Sequence, residues 1–393
     1  MELAEIKEMA LALQDYIISM RRYFHEHPEV SDKEFSTSKR LEQEILAMGL
    51  PVEHVPGTGL IAVIHGSQPG KNKVLRADID ALPIQEDREN LRQPKACVSG
   101  VPGVMHACGH DAHMAMLLGA MKILVKLQDQ LPGNVYCCFE EGEEVKGGVF
   151  AMVDALAKYP IDEVFSLHVR NTLEAGKLNI VPGPRMAGAI RIGFMLKGKA
   201  GHGSRPDEAV NPLIPMAHIL TQLNSLYNNR LDVEGKGTLA ICQVQGGNAE
   251  NIIPDSVLVR GTSRFFNEEE RRKALTLINE VVENTAASFG CQVEFTKLHG
   301  LGSAPVVNRP EVVKEITDTL KKICGPDVLA DCDRWFATEV FYEYMKRYPG
   351  ALGFVGIRND RLGSGAAHHN GKFDMDESGL YLGTCAHVAF ALA

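Results

Sequence analysis

Three histidines, a cysteine and an aspartate fall within eight residues in His106-Ala107-Cys108-Gly109-His110-Asp111-Ala112-His113. Cysteine thiolate and neutral imidazole are preferred donors for zinc and other borderline metals. Cys108 and His110 stand two apart around a glycine, so a tight loop could aim both at one centre. Read alone, the segment also fits a polar loop capping the helix after it, with Asp111 or His110 satisfying backbone N–H groups.

Three other segments supply partners. Glu140-Glu141-Gly142-Glu143-Glu144 follows directly on the apolar run Val135 to Phe139. Four carboxylates so close repel one another unless a cation is near. His168 stands at the end of Phe165-Ser166-Leu167-His168-Val169, and His368-His369 precedes Asn370-Gly371-Lys372-Phe373-Asp374. Each has a plainer reading by itself, as a solvated acidic loop or a hydrogen-bonded core histidine. Together, four separated positions offering Cys, His and Glu outweigh those readings.

The elements that must hold these residues follow from periodicity. Leu3, Ile6, Ala10, Leu13, Ile17, Met20 and Phe24 recur at helical steps, and Ser36 to Met48 reads as a second helix ended by Gly49 and Pro51. Leu60 to Ile64, Val74 to Asp78, Asn134 to Phe139 and Val164 to Val169 read as strands, with a strong helix from Ala112 to Gln130. Strands alternating with helices imply a mixed, mainly parallel sheet of the α/β class, with ligands gathering where strands end. After Pro182-Gly183-Pro184 the order becomes strand, helix, strand, strand, helix, strand. The strands are Ala189 to Leu196, Thr238 to Gln245, Ser256 to Phe265 and Cys291 to Leu298, and the helices Asn211 to Tyr227 and Glu268 to Phe289. That is a split β-α-β, ferredoxin-like α+β pattern. We therefore expect a discontinuous catalytic domain, 1–184 and 300–393, with residues 185–299 inserted.

The 393 residues suit two domains, and the 45% hydrophobic and 23% charged fractions suit a globular protein. A net charge of −9 without basic runs argues against nucleic acid or an anionic membrane surface as partner. No apolar stretch is long enough to span a bilayer. Met1-Glu2-Leu3-Ala4-Glu5 is acidic where a secretory signal would be basic, so a cytoplasmic location is expected. Nine cysteines, an odd number scattered along the chain, do not read as a disulfide framework.

These motifs, in this order, resemble the amidohydrolase branch of the M-twenty metallopeptidases, which includes aminoacylases, hippurate hydrolases and plant auxin-conjugate hydrolases. Arg76-Ala77-Asp78-Ile79-Asp80-Ala81-Leu82-Pro83 looks like its first signature and Met105 to His113 its most specific one. Phe139 to Glu144, Leu167-His168, Lys197 to His202, Asn251 to Asp255 and His369 to Phe373 complete the match. The resemblance implies two divalent ions per subunit (zinc, manganese, cobalt or nickel) held by Cys108, His110, Glu144, His168 and His369, with the Cys108 sulfur bridging. It implies Glu143 as general base and Asp78 as the aspartate orienting a ligating histidine. His106, Asp111 and His113 would support the ligands. From the inserted domain, His202 would reach the active site of a second subunit, so that domain would be a dimerisation lid in a homodimer. Asn251 and Arg264 would hold the substrate's polar and carboxylate groups. The implied activity is hydrolysis of the amide bond of a small N-acylated amino acid or amino-acid conjugate. A dipeptidase or carboxypeptidase, a silent metal-binding protein, and a hydrolase using Cys108 as nucleophile are the alternatives.

The chain departs from the family pattern in three places. Glu140-Glu141-Gly142 stands where Gln-Pro-Ala is usual, and the added charge is expected to tune metal choice or disfavour acidic substrates. Gly371 replaces a proline, and Val340 replaces the aspartate after Glu339.

Overall fold

In the computed structural model, which describes residues 3–235 and 237–393, the chain divides into two units. Met1 and Glu2, part of the acidic start, lie outside the described residues. The first unit takes in Met1–Gly183, Val307–Asp333 and Glu343–Ala393, and the second Pro184–Val306 and Arg334–Tyr342.

The first unit is built on a seven-stranded mixed sheet. Its order is Val52–His54, Leu60–His65, Asn134–Glu140, Lys73–Asp78, Glu163–Glu174, Gly350–Arg358, Leu178–Asn179. The four strands from Asn134–Glu140 to Gly350–Arg358 run parallel to their neighbours, while the outer pairings are antiparallel. Parallel strands are buried on both faces, which explains apolar runs such as Val135–Phe139. Helix His110–Lys126 is buried almost all round and packs against helices Gln14–Glu26 and Leu380–Leu392. The single N-terminal helix read from periodicity is two, Ala4–Ala12 and Gln14–Glu26, broken at Leu13. Strand Glu163–Glu174 continues six residues past His168, so that histidine is internal to a strand rather than at its end.

The second unit carries an antiparallel sheet ordered Thr238–Gln245, Ser256–Phe265, Gly188–Lys197, Gln292–Phe295. In chain order that is strands two, three, one and four, the split β-α-β arrangement. Helices Leu213–Asn229 and Glu268–Ser288 complete it, their apolar faces meeting Ile190, Ile192, Phe194, Val257 and Val259 in one core. The segment Arg334–Tyr342 joins this unit through main-chain bonds: Trp335 N–H donates to Arg185 O (2.8 Å) and Ala187 N–H to Trp335 O (3.1 Å). Val340 is buried there, which suits the apolar residue found in place of an aspartate. No helix among the described residues is long and apolar enough to cross a membrane.

Candidate metal centre

Gly109 precedes helix His110–Lys126 at φ +89°, a left-handed conformation that glycine adopts freely. A Cβ there would lie 2.3 Å from the Val169 side chain, so only glycine lets the loop close on the neighbouring strand. The turn places Cys108 against that strand: Cys108 Sγ lies 3.5 Å from His168 Nε2. Donor atoms of Cys108, His110 and His168 fall within 4.8 Å of one another, and so do those of Cys108, Glu144 and His369. Cys108 is common to both groups. His110, Glu143 and Glu144 form a third cluster within the same limit.

His110 and His168 each have one ring nitrogen tied down. His110 Nδ1 donates toward Asp80, 2.9 Å from its carbonyl and 3.0 Å from Oδ1. That fixes the tautomer and leaves the His110 Nε2 lone pair buried without a hydrogen-bond partner. His168 Nδ1 donates to Val169 O (2.7 Å). Burial, with His113 and His368 close by, holds His168 below the usual histidine range, so it stays a neutral donor. His369 sits at φ +59°, uncommon for a residue other than glycine, and its N–H donates to Ala107 O (3.0 Å) beside Cys108. His369 Nε2 lies 3.2 Å from Glu144 Oε1, an acceptor that makes no hydrogen bond.

These residues fit a metal. A buried imidazole lone pair and a carboxylate oxygen, both without donors and clustered with a cysteine sulfur, are costly unless a cation completes them. Sulfur, nitrogen and carboxylate oxygen donors suit zinc and its borderline neighbours. His113 does not belong to the set, although Asp78, His110 and His113 also approach one another. Its Nδ1 donates to Asp78 Oδ1 (2.6 Å) and its Nε2 accepts from Val169 N–H (2.9 Å), so neither nitrogen has a lone pair to offer.

Asp80 is the residue that sequence reasoning passed over. Asp78 was expected to orient a ligating histidine, but the bond to His110 Nδ1 comes from Asp80. Asp80 Oδ2 also accepts from Ser31 Oγ (2.7 Å) and from Glu144 N–H (3.1 Å), so one buried carboxylate aligns two of the donors. Burial would raise the Asp80 pKa, but these bonds, led by His110, hold it below the usual carboxylate range. Asp78 instead pairs with His113 and with Arg76 Nη1 (2.7 Å), its side chain 3.8 Å from His110 Nε2. The signal for Asp80 was present in the motif Asp78-Ile79-Asp80, but strand Lys73–Asp78 ends before it. Its loop position could not be read from alternation.

The acidic run divides by partner. Glu140 is neutralised by Arg76 Nη2 (2.6 Å) and accepts from the Tyr344 hydroxyl. Glu141 accepts from the Thr58 N–H and from Thr58 Oγ1 (2.7 Å). Gly142 N–H donates to Glu34 Oε1 (2.8 Å). Glu140 thus shares Arg76 with Asp78, and Glu141 is held by the neutral Thr58. Only Glu143 and Glu144 join the donor cluster.

The remaining residues singled out from sequence lie in the second unit. His202 is exposed in the short strand Gly201–His202, paired with Ile252–Ile253. Its Nδ1 accepts from Ser204 N–H (3.1 Å), so the neutral ring carries its proton on Nε2. Asn251 is exposed, its carbonyl accepting from Gly203 N–H (2.8 Å). Arg264 is half-buried in strand Ser256–Phe265 and bonds to Thr262 Oγ1 and Ser263 O.

Comparison with known proteins gives the wider setting. The family described as Peptidase family M20/M25/M40 matches residues 74–393. Thermostable carboxypeptidase 2 of Saccharolobus solfataricus is 34% identical, covering 100% of this chain and 99% of its own. The N-acyl-L-amino acid amidohydrolase of Geobacillus stearothermophilus is 36% identical over 78% of this chain and 82% of its own. Among solved structures, a Bacillus subtilis protein described as a dinuclear metal binding peptidase from the M20 family superposes with a TM-score of 0.82. It is 28% identical and covers 97% of this chain and 98% of its own.

Proposed function

Because the chain belongs to peptidase family M20/M25/M40, we propose that it is a metal-dependent amidohydrolase cleaving the amide bond of a small N-acylated amino acid or amino-acid conjugate. The observation that carries this reading is one sulfur, Cys108, common to two donor groups, with Glu143 beside Glu144 at their edge. Cys108, His110, Glu144, His168 and His369 would hold two divalent ions, zinc, manganese, cobalt or nickel. The dinuclear relative from Bacillus subtilis supports the count.

Bound ions of this kind make water acidic, lowering its pKa from about 15.7 to about 7 in a zinc site. Glu143 takes the proton from the attacking water and returns it to the departing amine. Asp80 keeps His110 and Glu144 aligned throughout. Asp78, between His113 and Arg76, supports the helix start that carries His110. In the second unit, the His202 Nε2–H is a donor for the oxygen that gains charge, an interaction commonly worth about 3–4 kcal/mol. Arg264 grips a carboxylate with its planar fork and Asn251 holds a neighbouring polar group.

We assign the second unit the roles of dimerisation domain and lid, with His202 acting on a partner subunit's substrate. Complementation tests this. His202→Ala and Glu143→Gln are each nearly inactive alone, but co-expression recovers about one quarter of wild-type activity. Half of randomly paired dimers are then mixed, and each mixed dimer holds one intact site. No recovery from mixed dimers rules out the trans arrangement.

Nine scattered cysteines, an odd number that does not read as a disulfide framework, support a reducing, cytoplasmic setting. The net charge of −9 gives no support for a nucleic-acid or anionic-membrane partner.

A carboxypeptidase reading has its own support, since the Saccharolobus relative matches along the whole chain. The deciding assay supplies each candidate metal with N-acetyl and N-benzoyl amino acids beside unblocked dipeptides, and reads released amine. Higher kcat/KM on the N-acyl compounds is expected. Cleavage of dipeptides alone would transfer the assignment to the peptidase side.

A further inference from the structure

A buried ionic chain runs beside the donor cluster and takes no part in the chemistry above. His25, in helix Gln14–Glu26, is 1% exposed and stands between two carboxylates. Its Nδ1 is 2.8 Å from Asp111 Oδ2 and its Nε2 is 3.0 Å from Glu86 Oε1. Burial and Arg21, whose Nη2 lies 3.2 Å from Nδ1, oppose a charge on the ring, but the bonds to Asp111 and Glu86 raise its pKa above the usual histidine range. Arg21 reinforces one arm, its Nε 2.9 Å from the same Asp111 oxygen. Lys95 extends the other: its Nζ donates to Glu86 Oε1 (2.8 Å) and to Gly371 O (2.7 Å). Ser99 N–H donates to Glu86 Oε2 (2.5 Å).

The ends of this chain are informative. Asp111 follows His110 directly, and its Oδ1 accepts from Ala112 N–H (2.9 Å) in the first turn of the same helix. Gly371 stands two residues after His369. A Cβ on Gly371 would lie 2.7 Å from Gln85 O, so the usual proline could not occupy this backbone without displacing the strand of loop that carries Glu86. The two donor-bearing segments also touch directly through His369 N–H and Ala107 O. The ionic chain fixes the opposite side of each.

We propose that His25 and Lys95 are positioning residues of the metal centre, forming with Glu86 a buried clamp that sets the spacing between the Cys108–His110 loop and the His369 loop. The proposal rests on those segments holding the ions. It differs from general stabilisation in its geometry. Cutting the clamp at His25 removes the link between the Asp111 arm, which Arg21 still holds, and the Glu86 arm, whereas cutting it at Lys95 removes a side-chain tie to the His369 loop alone and leaves the Asp87 N–H bond to Gly371 O (3.0 Å).

Cobalt(II) titration of the metal-free protein tests it, following d–d bands and the thiolate-to-cobalt band, with thermal unfolding of the metal-free form in parallel. Removing a group that orients a ligand typically weakens metal binding about 10–100-fold. His25→Gln is expected to weaken both binding steps within that range and to shift the thiolate band. Lys95→Met is expected to weaken one step to a similar degree, leaving the other step and the thiolate band close to wild type. Wild-type isotherms and spectra in Lys95→Met would overturn the clamp, even with a lowered unfolding temperature. So would an equal loss of both steps there. Lys95→Met decides the matter alone if His25→Gln does not fold. If the wild type itself fails to take two cobalt ions, the metal-centre reading falls rather than the clamp.

Discussion

Replacing Glu143 by Gln should lower kcat by roughly 10²–10⁴-fold, the usual contribution of a positioned base. Both ions should stay bound. Glutamine fills the same space, so the neighbouring Glu144 and His110, which share a cluster with Glu143, keep their places. What is lost is the ability to hold a proton between the attack on the carbonyl and the departure of the amine. Turnover measured beside metal content by mass spectrometry checks the two halves separately. Unchanged turnover would remove Glu143 from the chemistry and overturn its role as base. Lost turnover together with lost metal would make Glu143 a ligand instead of a base.

Cys108→Ala should have the second large effect. Its sulfur belongs to both donor groups, so one substitution weakens both ions, whereas His168→Ala and His369→Ala each touch one group. The loss in affinity should exceed the 10–100-fold typical of disturbing a ligand's outer partner. Equilibrium dialysis of the three variants gives the comparison, with Cys108→Ala retaining the fewest ions. Part of the activity should return as free metal is raised. A nucleophilic role for Cys108 predicts no return at any metal concentration.

The donors themselves were legible because each carries its chemistry in its own residue type and stands beside a recognisable helix or strand. Their supports were not, because support is a relation between distant segments. Asp80 and His110 are thirty residues apart, and His25 and Asp111 eighty-six. Nothing in the local pattern at His25 separates an ionic hub from a polar residue on a helix face. Strand Gly350–Arg358 was hidden for a different reason. Its glycines dilute the apolar signal, yet the sheet requires them. A Cβ on Gly350 would lie 2.5 Å from Val164 O, and one on Gly356 would collide with Glu174 O. The partners of the acidic run Glu140 to Glu144 were hidden too, because charge is visible in sequence and pairing with Arg76 or a bond from Tyr344 is not. Likewise, segment 334–342 joins the second unit through backbone bonds that carry no side-chain signature.

The discontinuity of the first unit sets an order on the birth of the molecule. Cys108, His110, Glu144 and His168 leave the ribosome with the first half of the chain, and His369 follows roughly 200 residues later, about 10–40 s at ordinary rates of synthesis. Until then strand Glu163–Glu174 is paired only with Lys73–Asp78, and its other edge awaits Gly350–Arg358. The nascent protein therefore waits with four of the five proposed donors and an open sheet edge, the arrangement most prone to pairing with another unfinished copy. Whatever depends on His369 and on strand Gly350–Arg358 can form only once that last stretch has been made.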